Sequence, residues 1–287
     1  MRRRIFIYLS LLATGWCGGA PLSRAENATV IPTGLPGIVI SLEVRANPPE
    51  RLWVAQIDLT EKHIHLRVDR GGPDPDGAGQ WQTTLLEPTK IAERDRFDLV
   101  INGDFFKARN VKDAEGGKSK YRADLWASVV GPAMTDGQTW AVSGQRRPCL
   151  VVHTNGAVAI ETLQRPARDD WEVVAGNVML VHDGTNVAHA AETAREPRTV
   201  AGLDAACEHL TLLVVDGRKR GVAAGMTFDE LAVEMRRLGC AEAVNLDGGG
   251  SSVLAVRSGD GTMKILNVPT DGHERAVANV LGVIVDH

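Results

Sequence analysis

The run from Asn245 to Ser252, NLDGGGSS, constrains this chain more than any other stretch of its sequence. Three consecutive glycines bring no side chains to a core, and they occur where a backbone must turn or closely approach another group. An apolar segment precedes them, and the polar side chains of Asp247 and Ser251 flank them. Because ligands of α/β sheets bind beyond the carboxyl ends of strands, we expect a binding site at this turn.

Two apolar segments around this turn predict a βαβ unit. Leu210–Val215 is a continuous apolar run, which is typical of a strand buried on both faces, and Asp216 follows it. Thr227–Glu230 forms a capping box that begins a helix, and Gly239 ends that helix. The next strand, 243–246, is expected to lie parallel to 210–215 after a right-handed crossover. Short strands separated by DG, SG and NG turns predict antiparallel hairpins elsewhere. The expected fold is therefore α/β in the mixed α+β sense, a mixed sheet in a single domain.

The first 25 residues have the order of a secretory signal peptide. Three arginines precede a short apolar run, and Ser23-Arg24-Ala25 fits a cleavage site. The apolar run is too short to span a bilayer, which requires about 20 residues. We expect Sec-type export to the periplasm or the medium, with a twin-arginine signal as the alternative reading of Arg3 and Arg4. In the mature chain, a β-rich segment over 26–79 is expected to pack as one unit with a main domain over 80–287.

Charge and cysteine content limit the partners of the mature chain. The whole sequence has a net charge of −4, and removal of the four arginines in residues 1–25 leaves −8. An acidic exported protein is a poor candidate for binding nucleic acid or an anionic membrane surface. Three cysteines remain, and Cys207 with Cys240 is the expected disulfide pair, because each precedes a strand of the same unit. No cysteine or histidine spacing is typical of a zinc site.

Three aspartates, Asp104, Asp216 and Asp247, each follow an apolar strand. A buried carboxylate is unfavourable unless it has a partner or a task. Paired carboxylates in different environments cleave glycosidic bonds by acting as acid, base or nucleophile. The same oxygen atoms are also ligands of hard cations such as calcium or magnesium. We therefore predict a hydrolytic site that requires no cofactor, with a divalent cation as the alternative.

The glycine turn and nearby arginines point to an anionic substrate. Backbone amides of consecutive glycines hold phosphate oxygens with little side-chain charge, and arginines add bidentate contacts. A substrate with both a sugar and a phosphate fits this combination. The expected substrate-binding residues are Asn102, Arg198, Thr199, Arg218, Asn245, Gly248, Gly249, Gly250, Ser251, Ser252 and Arg275.

The segment 225–252 resembles the hallmark of the phosphodiester glycosidase family, which includes an enzyme that removes N-acetylglucosamine from a phosphodiester of mannose 6-phosphate. The resemblance extends from about residue 80 to the C-terminus. The chain departs from the usual pattern at Glu196, where the family usually has histidine, and at Asp104, where it often has glycine. Five further blocks carry the resemblance: INGDFF (101–106), NVMLVHDG (177–184), EPRTVAGL (196–203), LLVVDGR (212–218) and NVPTDGHERAVANVLGVIV (267–285).

The resemblance implies hydrolysis of a sugar 1-phosphodiester to a free sugar and a phosphomonoester. We assign Asp216 and Asp247 as nucleophile or base, and Asp104 with Asn102 as groups that position the sugar or water. Two alternatives remain: a metal-dependent phosphodiesterase that acts at phosphorus, and a non-catalytic module that binds polysaccharide. The second alternative is disfavoured by the 5% aromatic content, because such modules usually expose several aromatic side chains.

Overall fold

The computed structural model describes residues 28–109, 121–188 and 193–286, so the signal peptide expected over 1–25 lies outside the described residues. The first half of the chain forms β1 (Thr29–Ile31), β2 (Ile38–Ala46), β3 (Pro49–Asp58), β4 (Ile64–Arg70), β5 (Thr83–Thr84), α1 (Pro88–Asp95), β6 (Leu99–Asn102), β7 (Phe106–Ala108), β8 (Trp126–Val129), β9 (Ala133–Thr135) and β10 (Gln138–Ala141). The second half forms β11 (Arg147–His153), β12 (Val158–Leu163), β13 (Asp170–Ala175), β14 (Val178–His182), β15 (Thr185–Asn186), β16 (Arg198–Leu203), β17 (His209–Val215), α2 (Phe228–Arg237), β18 (Glu242–Asn245), a 3-10 helix (Gly249–Ser251), β19 (Leu254–Arg257), β20 (Met263–Ile265) and β21 (Asn279–Val285).

These strands form four sheets. The first has the order β1-β2-β3-β17-β16-β18-β14-β15, and the second has the order β10-β9-β13-β11-β12. The third has the order β20-β19-β6-β21-β4, and the fourth is β5-β8-β7. The main core lies between the first sheet and the inner faces of the second and third sheets. Helix α2 covers the other face of the first sheet, and α1 covers the outer face of the third.

The predicted capping box of α2 is present. Thr227 caps α2, its hydroxyl accepts the Glu230 amide at 3.2 Å, and the Glu230 carboxylate accepts the Thr227 amide at 2.9 Å. Gly239 follows the helix with φ +92°. In α1, Pro88 lies in the first turn. Among the described residues, neither helix combines the length and apolar character needed to cross a membrane.

The expectation of a mixed sheet is wrong for the described residues, since every strand pair among them is antiparallel. β17 and β18 do run in the same direction, but β16 lies between them and pairs with both. The apolar run of β17 reflects burial on both faces. Leu212 and Val214 pack in the main core, whereas Leu213 and Val215 pack toward α2. Burial of this kind favours an unbroken apolar run in an antiparallel strand as well as in a parallel one.

The expected disulfide is also absent from the described residues, where all three cysteines are free thiols. Cys240 is buried against Gly202 and Met235, whereas Cys207 is exposed in a turn with φ +55°. Both residues precede strands of one sheet, as the sequence indicated, but one thiol faces the core beneath α2 and the other faces solvent.

Candidate functional site

The turns that follow β6 and β18 meet directly and join the third sheet to the first. The Asp247 amide donates to the Gly103 carbonyl at 3.0 Å, and Asn102 Nδ2 donates to the Asp247 carbonyl at 2.7 Å. Asn102 Oδ1 accepts the Thr199 hydroxyl at 2.8 Å and the Val253 amide at 3.2 Å. Asn102 and Thr199, both fully buried, therefore fix the backbone of the glycine turn from behind.

An open cleft of about 240 Å³, which we call the glycine cleft, lies over this turn. Seven of its lining residues were expected from the sequence, and two, Phe105 and Glu196, were not. Phe105 directly follows Asp104, and Glu196 lies at the start of the EPRT segment, so both belong to motifs that the sequence marks. The lining residues are Phe105, Glu196, Arg198, Arg218, Asp247, Gly248, Gly249, Gly250 and Arg275.

The glycines allow two arginines to approach the backbone of the turn. Gly249 has φ +62°, and a Cβ at this position would lie 3.3 Å from both terminal nitrogens of Arg218. A Cβ on Gly250 would clash with the guanidinium of Arg275 and with the Asp271 carboxylate. The GGG run is thus required by close packing of guanidinium groups as well as by backbone conformation.

Each of these two arginines is held by an acidic partner. Arg218 has φ +57°, and its Nε donates to the Glu196 carboxylate. Arg275 donates from Nη2 to Asp271 Oδ2 at 2.8 Å, and its guanidinium lies 4.5 Å from the centre of the Tyr121 ring. The cleft therefore presents oriented positive groups, with Glu196 the acidic neighbour of one of them. Such fixed donors are suited to the oxygens of a phosphate group.

Arg198 contributes to the cleft from a more buried position. Its Nε donates to the Met226 carbonyl at 3.1 Å, and its Nη2 donates to the Ala194 carbonyl at 3.1 Å. The guanidinium lies 4.2 Å from the centre of the Phe228 ring at the start of α2. These contacts fix the position of the Arg198 charge at the base of the cleft.

Asp247 is the aspartate that opens onto the cleft. It is partly exposed, and its Oδ1 accepts the Gly248 amide at 2.8 Å. Burial raises the pKa of Asp247 to about 6, while the Ser251 hydroxyl, the Gly248 amide and the Arg275 charge act in the opposite direction. A carboxyl with this pKa is largely ionised at neutral pH and can accept a proton or attack an electrophile.

Asp104 lies behind the cleft and is only 2% exposed. Its Oδ2 accepts Asn279 Nδ2 at 2.9 Å and the Ala175 amide at 3.2 Å. Burial and, to a smaller extent, the negative charge of Asp247 raise the pKa of Asp104 to about 7, against the opposing effect of its hydrogen bonds from Asn279 and Ala175. Asp104 is thus a close electrostatic neighbour of Asp247 that does not line the cleft.

The structure places Asp216 in a different environment. It is 1% exposed and does not line the cleft. Oδ2 accepts Trp53 Nε1 at 3.2 Å and lies 3.4 Å from Arg51 Nε. Oδ1 accepts the Val268 amide at 2.9 Å and faces Asn267 Nδ2 at 3.4 Å. Both oxygens are engaged with scaffold groups, which ties the end of β17 to β3 and to the chain after β20.

The remaining predicted residues support the turn from within. Asn245 is fully buried, and its Nδ2 donates to Asn177 Oδ1 and to the Leu246 carbonyl, both at 2.8 Å. Ser251, the last residue of the 3-10 helix, and Ser252, which follows it, are buried, and neither lines the cleft.

A group of metal-ligand side chains occurs elsewhere, at the outer edge of the first sheet. Ligand atoms of His182, Asp183 and Glu242 lie within 4.8 Å of one another on the surface. The His182 and Glu242 side chains already form a 3.0 Å contact. This group does not contribute to the lining of the glycine cleft.

Comparisons with solved structures confirm the fold. The zebrafish N-acetylglucosamine-1-phosphodiester α-N-acetylglucosaminidase catalytic domain, auto-inhibited by its pro-peptide, has a TM-score of 0.60 at 17% identity, covering 92% of this chain and 85% of that chain. A hypothetical protein from Synechocystis has a TM-score of 0.56 at 16% identity, covering 91% of this chain and 64% of that chain. A protein from Burkholderia pseudomallei K96243, named as a candidate exported protein, has a TM-score of 0.58 at 18% identity, covering 82% and 74% respectively.

The fold and the cleft define a sheet-rich protein in which Asp247 and Glu196 line a cleft together with three glycines and three arginines. The sequence profile described as phosphodiester glycosidase matches residues 95–284, and the chain belongs to that family. The resemblance noted in the sequence is thereby confirmed. Comparison with curated protein sequences gives no match.

Proposed function

We propose that this protein hydrolyses the bond between the anomeric carbon of a sugar and the oxygen of a phosphodiester. Water supplies a hydroxyl to the anomeric carbon, and the phosphomonoester leaves with the bonding electron pair. The observation that carries the proposal is the position of Asp247, which lines one cleft together with Gly248–Gly250, Arg218 and Arg275. Membership of the phosphodiester glycosidase family supports it independently.

In this proposal Asp247 acts as nucleophile or as the base that activates water. Charge develops on the departing phosphate, and fixed donors stabilise it most effectively when they are already oriented. Arg218 and Arg275 line the cleft beside Asp247 and are in place for that role. The amides of Gly248 and Gly249 are not, because they already donate to Asp247 Oδ1 and to the Pro197 carbonyl. A phosphate that leaves as an anion depends less on protonation than an alcohol does, so a second carboxylate in contact with the bond is not required.

Asp104 and Asp216 have supporting roles. Asp104 lies behind Asp247 without lining the cleft, and the charge of Asp247 helps to keep it protonated, so it acts as a neutral positioning group. Asp216 maintains the wall of the site through its contacts with Trp53 and Val268. Asn102 and Thr199 hold the main chain of Asp247.

The test is hydrolysis of an α-N-acetylglucosamine-1-phosphodiester in water labelled with oxygen-18, with and without a chelator. We expect label at C1 of the sugar and a rate that the chelator leaves unchanged. Asp247→Asn should abolish turnover, whereas Asp260→Asn, an exposed aspartate in the β19–β20 turn, should not. Label in the phosphate, together with loss of activity on chelation, would instead establish a metal-dependent phosphodiesterase. Binding of the compound without turnover would indicate a non-catalytic module.

We further propose that the chain is exported through the signal peptide predicted at residues 1–25. The order of its charged, apolar and small residues supports this proposal. Expression of the full chain followed by N-terminal sequencing of the exported product should give a mature protein that begins near Glu26. Retention of an uncleaved chain in the cytoplasm would contradict it.

A further inference from the structure

A second cleft, of about 460 Å³, lies between edge strand β4 and the second sheet. It is separate from the glycine cleft. Asn279, at the start of β21, contacts Asp104 behind the glycine cleft, whereas Ile284, near the end of β21, lines the second cleft. Five residues of strand separate these positions by about 17 Å, at about 3.3 Å per residue. The two clefts therefore lie toward opposite ends of the third sheet.

The wall of this second cleft carries an indole ring held in a fixed position. Trp171 on β13 is 44% exposed, and the other exposed large hydrophobic side chains among the described residues are valines. The ring lies against Gly137, where a Cβ would be 3.0 Å from the indole, and the Gly137 amide donates to the Trp171 carbonyl at 2.8 Å. An exposed, immobilised aromatic face provides a surface on which the C–H face of a sugar ring can stack.

Polar side chains surround the indole at defined positions. Arg67 Nη2 lies 3.0 Å from Asp136 Oδ2 and 3.1 Å from Asp69 Oδ2, so its charge is balanced and its orientation is fixed. His153 lies on the opposite wall, with Nδ1 3.2 Å from Asp170 Oδ1. Binding sites for small polar ligands combine an apolar surface with a few oriented polar groups of this kind. Because Arg67 is already balanced, the cleft favours an uncharged ligand over an anion.

The edge of β4 sets the size of the ligand. At Val68 the edge is closed, because its amide donates to Glu172 at 2.9 Å and its carbonyl accepts the Thr135 hydroxyl at 2.7 Å. At the other end of the strand, the Ile64 amide donates to the Glu61 carbonyl at 3.1 Å. By the alternation of the antiparallel ladder, the N–H and C=O of Leu66 also face away from β21, toward the cleft.

The backbone of Leu66 therefore offers one hydrogen-bond donor and one acceptor to the cleft. The neighbouring outward-facing amides, those of Ile64 and Val68, are already hydrogen-bonded within the protein. Addition of a strand requires main-chain partners at successive alternate residues, and this edge has room for a single pair. A sugar ring with two adjacent hydroxyl groups meets that requirement, since it needs only one donor and one acceptor from the backbone.

We propose that this cleft is a second, non-catalytic carbohydrate site that binds one uncharged hexopyranose ring of a glycan. Trp171 stacks against the ring, and Arg67, His153 and Leu66 contact its hydroxyl groups. The inference goes beyond the proposed hydrolysis, because a glycan held here is bound at the other end of the third sheet from Asp247.

The experiment is titration calorimetry on the mature protein carrying Asp247→Asn, with the trisaccharides of β-1,4-linked glucose, β-1,4-linked N-acetylglucosamine and α-1,6-linked mannose. Single-ring sites are weak, so we expect a Kd on the order of 1 mM for at least one of them. Trp171→Ala should weaken that binding by about tenfold or more, whereas Trp171→Phe, which keeps an aromatic face, should weaken it by no more than about threefold.

A matched activity measurement separates this site from the catalytic one. Trp171→Ala in the otherwise native chain should hydrolyse a small sugar 1-phosphodiester at the native rate, and a fall in that rate would place Trp171 in the catalytic cleft and overturn the proposal. Absence of binding for all three trisaccharides up to about 10 mM, or equal affinity in Trp171→Ala, would also overturn it. Trp171-dependent binding of a hexapeptide of alternating valine and threonine, without any sugar binding, would reassign the cleft to strand addition.

Discussion

The turns that follow β17 and β18 share a sequence pattern, but they place their aspartates in opposite environments. Each is an apolar strand followed by aspartate and glycine, and the two strands run in the same direction on either side of β16. Asp216 ends in a closed network with both oxygens engaged, whereas Asp247 opens onto a cleft lined by glycines and arginines. The pattern thus marks the end of a buried strand, and the neighbouring groups decide whether the carboxylate is enclosed or opens onto a cleft.

The largest effect is expected when the carboxylate that opens onto the cleft is neutralised. Asp247→Asn keeps the shape and the Gly248 contact but removes the charge, so kcat should fall by about 10²–10⁴-fold, the range for loss of a catalytic acid–base group. The midpoint of thermal unfolding should change little, because Asp247 forms no buried ion pair among the described residues. Steady-state kinetics and thermal unfolding on the same preparation measure both effects. Retention of full activity in a folded variant would remove Asp247 from the mechanism.

The same test on the scaffold carboxylate should give the reverse result. Asp216→Ala leaves Trp53 Nε1 and the Val268 amide without their acceptor and Arg51 without its nearest carboxylate. The free energy of unfolding should fall by about 3 kcal/mol, the scale for buried donors and a partly buried charge that lose their partner. Denaturant unfolding measures the loss, with the exposed Asp260→Ala as control. A stable Asp216→Ala protein without activity would instead return Asp216 to the catalytic group.

The sequence predicted features that depend on local chemistry. The capping box at Thr227, the helix end at Gly239 and the turn at Gly248–Gly250 are set by residues close to one another in the chain. The sequence did not predict features that depend on packing between segments far apart in the chain. The apolar run of β17 does not reveal that β16 inserts between β17 and β18, and the DG pair after β17 does not reveal that Trp53 and Val268 close around Asp216. Glu196 was missed as a site residue because its partner, Arg218, lies 22 residues away.

The glycines that follow Asp247 leave room for arginine side chains at the backbone of the cleft, and no such run follows Asp216. Gly250→Ala places a methyl group against the Arg275 guanidinium and the Asp271 carboxylate, so this ion pair must move. We expect kcat/KM to fall by about 10–100-fold, since a displacement of about 1 Å in a positioning group has effects of that size. The control is Gly259→Ala in the β19–β20 turn, where a Cβ meets no atom within 4 Å. Equal kinetics for the two variants would contradict the role assigned to Arg275.

The pH dependence of kcat/KM gives the smallest effect and tests the protonation state directly. A nucleophile or base must be ionised, so activity should rise with pH through the Asp247 pKa of about 6 and should fall by about tenfold for each pH unit below it. The Ser251 hydroxyl has no hydrogen-bond partner among the described residues and lowers the Asp247 pKa, because it can donate to the ionised carboxylate. Ser251→Ala should therefore move the acidic limb to higher pH, while activity above the limb stays near the native value. A limb that moves to lower pH, or a flat profile between pH 5 and 7, would show that ionisation of Asp247 does not control the reaction. Asp216 makes no contact with Ser251 among the described residues, so a shift in the predicted direction would exclude Asp216 as the group that titrates.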